Sequence, residues 1–169
     1  MDRVSSSVWL SESDMDVVGK AATKGVLKFE AAAGGREPKV IQDILKAVVA
    51  KGKGAGPEGK VGTSYYNIGV MAGAVIVEGI RKAMEINGKG PYDGPWLNAG
   101  LRSITNFTAE GLLPGVTTTK DDHQGGGKGR IVRWDGTKFV AQTDWMSANQ
   151  DIVWAEIKKY SEEFKKSGK

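Results

Sequence analysis

Hydrophobic and polar residues alternate in two short segments near the start of the chain, residues 4–10 and residues 26–30. A period of two is typical of a half-buried β-strand, so both segments are predicted strands. Between them, the serine- and acid-rich turn at residues 11–14 offers N-cap side chains for a short helix over residues 15–24. Gly25 follows that helix at its C-terminal end, a position where glycine is common.

Four further segments carry apolar residues at the i, i+3, i+4 spacing of a helix. The first begins at Pro38 and is amphipathic. A long helix covers residues 64–86 and ends at the Asn-Gly pair 87–88, and a shorter one covers residues 95–104. The last begins after Asn149, its predicted N-cap. The apolar stripe of this last helix consists of Ile152, Val153, Ile157, Tyr160 and Phe164.

A β-hairpin signal lies in the last third of the chain. Residues 130–134 and 138–145 are both strand-like, and the Asp135-Gly136 pair between them is a strong signal for a two-residue turn. We therefore expect these two segments to pair antiparallel. The whole order is β-α-β-α-α-α, followed by the hairpin and a final helix. Such an order predicts a layered α/β fold whose first half is of parallel type and whose end is antiparallel.

The composition is that of a globular chain about one domain in length. Of the 169 residues, 40% are hydrophobic and 26% are charged, a balance that permits a buried core. The 24 basic and 20 acidic residues are interspersed, so we expect no nucleic-acid partner. The long apolar run at residues 68–80 is too short to span a bilayer. The first ten residues lack the apolar core of a secretory signal.

Catalytic chemistry has little support in this sequence. The chain has no cysteine, which excludes disulfides, thiolate catalysis and cysteine zinc sites. The glycine-rich loop at residues 54–60 resembles a phosphate loop, but Val61 stands where Ser or Thr would meet Mg²⁺, and a helix precedes the loop instead of a strand. His123 lies in an Asp-Asp-His run whose alternating side chains cannot all face one metal. We expect no cofactor and no metal; a nucleotide-binding enzyme is the less favoured alternative.

Two segments bring polar and aromatic side chains to the start of a predicted helix. One runs from Trp9 to Asp14, at the end of a predicted strand, where ligands gather in open α/β sheets. The other is residues 64–67, at a helix N-terminus whose free N–H groups favour an anionic ligand group. Purely structural explanations exist for both. Ser13 or Asp14 would then be a simple N-cap, and the tyrosines would only satisfy their own hydroxyl groups.

Eight short segments, in order along nearly the whole chain, match the motifs of one protein family. They are Trp9-Leu-Ser-Glu-Ser-Asp-Met-Asp-Val-Val18, Val40-Ile-Gln-Asp-Ile44, Lys51-Gly-Lys-Gly54, Tyr66-Asn67, Ile76-Val-Glu78, Asp122-His123, Arg133-Trp-Asp-Gly136 and Thr143-Asp-Trp145. As a set they resemble the solute-binding proteins of branched-chain amino-acid-type ABC transporters. The resemblance implies a type I periplasmic-binding-protein fold, in which two α/β lobes close on a ligand.

A complete member of that family is roughly twice this length or more, and residues 1–169 resemble its C-terminal portion, with the first lobe largely absent. The resemblance implies a non-enzymatic, periplasmic protein that presents a branched-chain amino acid or a related small organic acid to a membrane permease. The expected ligand contacts are Trp9, Ser11, Glu12, Ser13, Tyr66 and Asn67. Tyr66 would be a stacking wall, Asn67 would bind the head group, and the serines would cradle a carboxylate. Val70 is the alternative to Tyr66.

Absence of the first lobe has a physical consequence. Sheet edges and apolar helix faces that it would cover become exposed, which favours a homo-oligomer or a swapped dimer. A structural or interaction fragment that no longer binds solute is therefore the main alternative function.

Overall fold

The computed structural model describes residues 9–168 and gives that part of the chain six α-helices and three β-strands. The helices are α1 (Glu12–Val18), α2 (Lys20–Thr23), α3 (Lys39–Ala47), α4 (Ser64–Asn87), α5 (Gly94–Leu101) and α6 (Gln150–Lys166). The strands are β1 (Leu27–Glu30), β2 (Arg130–Trp134) and β3 (Phe139–Ala141). Short 3₁₀ turns cover Val49–Lys51 and Glu58–Lys60. Most of the strand predicted over residues 4–10 lies outside the described residues.

The three strands form one antiparallel sheet in the order β1-β2-β3. Leu27 of β1 lies opposite Arg133 of β2, and Trp134 of β2 lies opposite Phe139 of β3. The parallel-type first half expected from the sequence therefore has no counterpart within residues 9–168. The reason is long-range: β1 takes the C-terminal hairpin as its partner, a pairing that no local pattern encodes.

The predicted hairpin is confirmed, but its connection is longer than the expected two-residue turn and β3 is shorter than the segment 138–145. Trp134 lies opposite Phe139, so residues 135–138 join the two strands. Its turn is organised by Asp135, whose Oδ1 accepts hydrogen bonds from the backbone N–H groups of Lys138 at 2.9 Å and Thr137 at 2.7 Å. These bonds favour the carboxylate and lower the pKa of Asp135 to about 2. The charged turn thus remains intact over the whole range in which ordinary aspartates titrate.

The helix predicted over residues 15–24 is divided in two, and it begins earlier than expected. Gly19 has φ 104°, outside the helical region, and separates α1 from α2. The N-cap is Ser11, not Ser13 or Asp14. The Ser11 backbone N–H and hydroxyl donate to Asp14 Oδ2 at 2.7 and 2.8 Å, so Asp14 holds the cap from inside the first turn.

Helices α4 and α5 pack closely because two glycines meet at their contact. A Cβ added at Gly100 of α5 would lie 2.0 Å from the Gly79 carbonyl oxygen and 2.5 Å from the Ala83 backbone nitrogen. A Cβ added at Gly79 would lie 2.5 Å from Leu101 Cδ2. The backbones therefore approach closely at Gly100, where only glycine fits, whereas at Gly79 a methyl group would require the Leu101 side chain to move.

The apolar core lies between one face of α4 and the loops that follow β1 and α5. Its buried members are Ala32, Ala109, Leu112 and Leu113, and the partly buried residues packed against them are Val40, Val70, Met71, Ala74, Val75, Phe107 and Val116. Val70, the alternative candidate for a ligand contact, thus contributes to this packing. Helix α4 contributes Val70, Met71, Ala74 and Val75 to this core. These contacts hold the N-terminal half of the helix in place.

Apolar residues are exposed to solvent on α4 and α6, and also at the end of α1. On α4, Ile76 and Val77 are more than half exposed, and on α6 the predicted stripe is exposed as well, with Phe164 at 62%. Helix α6 begins after Asn149, as predicted, but the Asn149 side chain makes no capping hydrogen bond in the described structure. No helix within residues 9–168 has the length and apolar content needed to cross a membrane.

We expect Gly100→Ala to lower the free energy of unfolding by about 1–3 kcal/mol, because the added methyl group forces α4 and α5 apart. Chemical denaturation monitored by circular dichroism measures the change.

The matched control is Gly73→Ala in α4, where an added Cβ would meet no atom within 4 Å. Alanine there should raise stability by about 0.5–1 kcal/mol, because it restricts the unfolded chain. Equal effects of the two substitutions would contradict the close helix contact.

Candidate functional site

The structure joins the two segments that the sequence singled out. Glu12 Oε2 accepts a hydrogen bond from the Ser64 backbone N–H at 2.9 Å, and Glu12 Oε1 accepts one from the Ser64 hydroxyl at 3.2 Å. The Tyr65 hydroxyl donates to the Trp9 backbone carbonyl. The carboxylate of Glu12 thus caps the positive end of α4, an arrangement that stabilises a helix start. Residues 9–12 are thereby fixed against the first turn of α4.

A buried lysine lies beneath this junction. Lys28 of β1 is only 2% exposed, and its Nζ donates to Ser64 Oγ at 2.6 Å and to the Leu10 carbonyl at 2.9 Å. The same Nζ lies 4.0 Å from the centroid of the Phe139 ring. Burial lowers the pKa of Lys28, while the nearby carboxylate of Glu12, among others, opposes that shift.

Glu30, two residues further along β1, faces the same side of the sheet as Lys28 and is also buried. Its Oε1 accepts hydrogen bonds from Arg130 on β2 at 2.7 Å and 2.6 Å. The Arg130 guanidinium also lies 4.6 Å from the centroid of the Trp145 ring. The buried Lys28 and the partly exposed Arg130 are therefore balanced by the carboxylates of Glu12 and Glu30.

Lys28 was not among the site residues predicted from the sequence, although the residue pattern of β1 contained one signal for it. The alternation in β1 assigns Lys28 and Glu30 to one face and Phe29 to the other. An isolated amphipathic strand would suggest that the charged face is the exposed one. The structure buries the charged face instead, because its partners Glu12, Ser64 and Arg130 come from distant parts of the chain.

A cavity of about 170 Å³ opens beside this junction, and we call it the Trp9 pocket. Its lining consists of Trp9, Lys28, Glu30, Ala31, Ala32, Ser64, Ile68 and Met71. The lining is largely apolar, and its polar members are Lys28, Glu30 and Ser64. Apolar cavities of about 150 Å³ bind molecules as large as benzene, so this pocket has the size and polarity to hold a small hydrocarbon group.

The other predicted contacts lie elsewhere. Ser11 is buried and its hydroxyl is engaged with Asp14. Ser13 lines a different groove, which it shares with Glu12, Arg36 and Thr63. Tyr66 lines a third cavity of about 190 Å³ near the loop at residues 54–61. Of the six predicted residues, the structure brings Trp9 and Glu12 to the Trp9 pocket or its supporting network and separates Ser13 and Tyr66 from it.

Asn67 is buried and ties α4 to the loop after β1. Its Nδ2 donates to the carbonyl oxygens of Ala33 at 2.7 Å and Gly35 at 2.9 Å. The side chain is 1% exposed, and its Oδ1 has no partner in the described part of the chain. These contacts explain a structural role for Asn67, which holds the loop that carries Ala32 into the core.

The remaining motifs show no assembled catalytic or metal site. A ring nitrogen of His123 lies 3.1 Å from the Lys120 carbonyl, which is a local turn contact. Over residues 9–168, no group of three or more histidine, aspartate or glutamate side chains is arranged to hold a metal ion. The loop at residues 54–60 contains one 3₁₀ turn and leads through Val61 into α4.

Comparison with solved structures identifies the architecture. A protein of the Pseudomonas fluorescens group, described as an ABC transporter permease, superposes with a TM-score of 0.84 at 28% identity, over 94% of this chain and 40% of that one. A branched-chain amino acid ABC transporter protein from Thermus thermophilus, solved with bound valine, gives 0.72 at 20% identity, over 88% and 40%. This chain has a type I periplasmic-binding-protein fold.

A substrate-binding protein of an ABC transporter from Aeropyrum pernix has the same fold at lower similarity, with a TM-score of 0.62 and 16% identity over 85% of this chain and 37% of that one. No protein-family model matches the sequence, and no curated relative matches it either. The chain spans about two fifths of the length of these solved structures. Its periplasmic-binding-protein fold is thus a partial one, as the family resemblance implied.

We expect Asn67→Ala to lower the free energy of unfolding by about 1–3 kcal/mol, because two carbonyl groups lose their donor. The measurement is urea denaturation. Asn98→Ala on the exposed side of α5 is the control and should change stability little. A loss of solute affinity with unchanged stability would instead favour the head-group role predicted from the sequence.

Proposed function

We propose that this chain is the C-terminal part of a non-enzymatic solute-binding component of an ABC importer. It would hold a small solute in the periplasm and present it to a membrane permease. The observation that carries the proposal is the Trp9 pocket within a type I periplasmic-binding-protein fold. The valine bound to the protein from Thermus thermophilus supports a solute of the amino-acid class.

The chemistry of the pocket favours a particular orientation of the solute. The polar groups of the pocket already have hydrogen-bond partners. Lys28 donates to Ser64, Ser64 donates to Glu12, and Glu30 accepts from Arg130. A polar group of the solute would have to break those bonds. The free energy lost by breaking them exceeds the free energy gained from the new bond. The apolar part of the solute therefore enters the pocket between Ile68 and Met71, and the charged head group points outward.

The outward position of the head group explains why one part of a clamshell is insufficient for tight binding. The Trp9 side chain is 67% exposed, so the pocket wall that it forms has an open outer face. Enclosure between two preformed walls removes a solute from water and supplies most of the affinity in such sites. We infer that the head group is held by a facing lobe, and that a branched-chain amino acid is the first candidate solute.

We expect Trp9→Ala to weaken solute binding at least about tenfold, equivalent to about 1.4 kcal/mol, because it removes one wall of the pocket. Isothermal titration with valine, leucine, isoleucine and phenylacetate measures the affinity. Trp154→Ala on α6 is the matched control, since Trp154 is absent from the pocket lining. Equal loss in both variants would count against the Trp9 pocket, and failure of all four solutes to bind would favour a fragment without solute-binding activity.

A second candidate function is an interaction fragment that oligomerises through its exposed helix faces. The observation that favours it is the set of exposed apolar residues on α4 and α6, namely Ile76, Val77, Ile152, Tyr160 and Phe164. Contiguous apolar surface of this kind commonly marks a protein–protein contact.

Under this second candidate, light scattering across a range of protein concentrations should detect dimers or larger species. The double substitution Ile76→Lys and Val77→Glu should shift the population toward monomer, because charge at the contact carries a desolvation cost. Substitution at two exposed charged positions, Lys158→Glu and Glu163→Lys, keeps the net charge and serves as the control. A monomer at every concentration contradicts the candidate.

A further inference from the structure

We propose that Lys28 is a positioning residue of the Trp9 pocket, whose ammonium group fixes residues 9–12 and thereby the pocket wall formed by Trp9. The inference rests on the proposed function, because it assigns a role within that same site. Lys28 was not among the residues that the sequence suggested, and it acts without contacting the solute.

The three N–H bonds of the ammonium group match three partners from three different elements. They face the Leu10 carbonyl before α1, the Ser64 hydroxyl at the start of α4, and the ring of Phe139 on β3. With its donors engaged in this way, Lys28 has no free hydrogen bond to offer a solute. A single atom, Lys28 Nζ, therefore contacts the segment before α1, the start of α4 and strand β3.

The link to Trp9 runs through the backbone. Lys28 holds the carbonyl of Leu10, and the Tyr65 hydroxyl holds the carbonyl of Trp9, so two consecutive peptide groups are restrained. Trp9 as a residue is 67% exposed. The backbone that carries the Trp9 ring is therefore one determinant of where the ring lies over the pocket.

A neutral side chain of the same length would not replace the ammonium group. Without the cation, the Leu10 carbonyl would lose its donor, and the carboxylates of Glu12 and Glu30 would lose a neighbouring positive charge in a buried environment. Unpaired buried groups of this kind are costly, and the segment would relieve that cost by moving toward water. The expected result is a displaced Trp9 and a pocket without its outer wall.

The absence of cysteine from the sequence permits a sharp test. A Lys28→Cys variant can be alkylated at that single thiol while unfolded and then refolded. Bromoethylamine gives a side chain of nearly the length of lysine with an ammonium group, and bromopropane gives a neutral side chain of similar length. The two adducts differ only in the group to which we assign the positioning role.

The position of Trp9 is followed by ¹⁹F NMR of protein labelled with 5-fluorotryptophan, with its resonance assigned by Trp9→Phe. We expect the aminoethyl adduct to reproduce the Trp9 resonance of the unmodified protein and the propyl adduct to shift it toward the value of free tryptophan. The resonances of Trp96 and Trp154 should stay unchanged in both. Valine affinity should be about tenfold weaker for the propyl adduct than for the aminoethyl adduct.

Identical Trp9 resonances in the two folded adducts would overturn the inference. Should the propyl adduct fail to refold, Lys28→Met replaces it, since that variant removes the ammonium group and leaves the bond between Ser64 and Glu12 in place. A Trp9 resonance shifted in the same direction supports the role of Lys28, and an unchanged one overturns it. If the adducts differ at Trp9 but no form binds valine or the other solutes, the positioning role stands and the proposed function fails.

Discussion

The arrangement of this chain depends on two cations on one face of β1 and β2, the buried Lys28 and the partly exposed Arg130. Lys28 donates to a carbonyl and a hydroxyl group from distant segments, and Arg130 is paired with the buried carboxylate of Glu30; a buried cation such as Lys28 is stable only with such partners. This requirement links elements that local sequence preferences would leave independent. The segment before α1, the first turn of α4 and the C-terminal hairpin must all be in place before both cations have their partners.

The same requirement explains where the cavity forms. Glu12 caps α4 through Ser64, and Ser64 accepts from Lys28, so the start of the helix is fixed at a set distance from the sheet. The space left between them is lined by α4 residues one and two turns further on, Ile68 and Met71. Saturation of the polar groups leaves an apolar interior. If the pocket holds a solute as proposed, these engaged polar groups favour an apolar group inside it.

Local patterns predicted those features that depend on local physics. The period of α4, the hairpin around Asp135 and the stripe of α6 each depend on neighbouring residues, and each element is present. Tyr66 illustrates the limit: it follows Tyr65 by about 100° around the helix, so one tyrosine reaches the Trp9 carbonyl and the other lines a separate cavity. Where each tyrosine lies depends on how α4 is rotated about its axis, and contacts with distant segments, such as that of Ser64 with Lys28, are part of that packing.

The exposed apolar faces and the open pocket have a common explanation. This chain covers about two fifths of the length of the solved structures with this fold. Within residues 9–168, the sheet has only three strands. A sheet of three strands cannot cover both a helix of 24 residues and the 17 residues of α6. The charged network stabilises one junction without enclosing the molecule. The structure therefore combines a pocket that is open on one side with exposed apolar faces on α4 and α6, and both follow from the small extent of the sheet within residues 9–168.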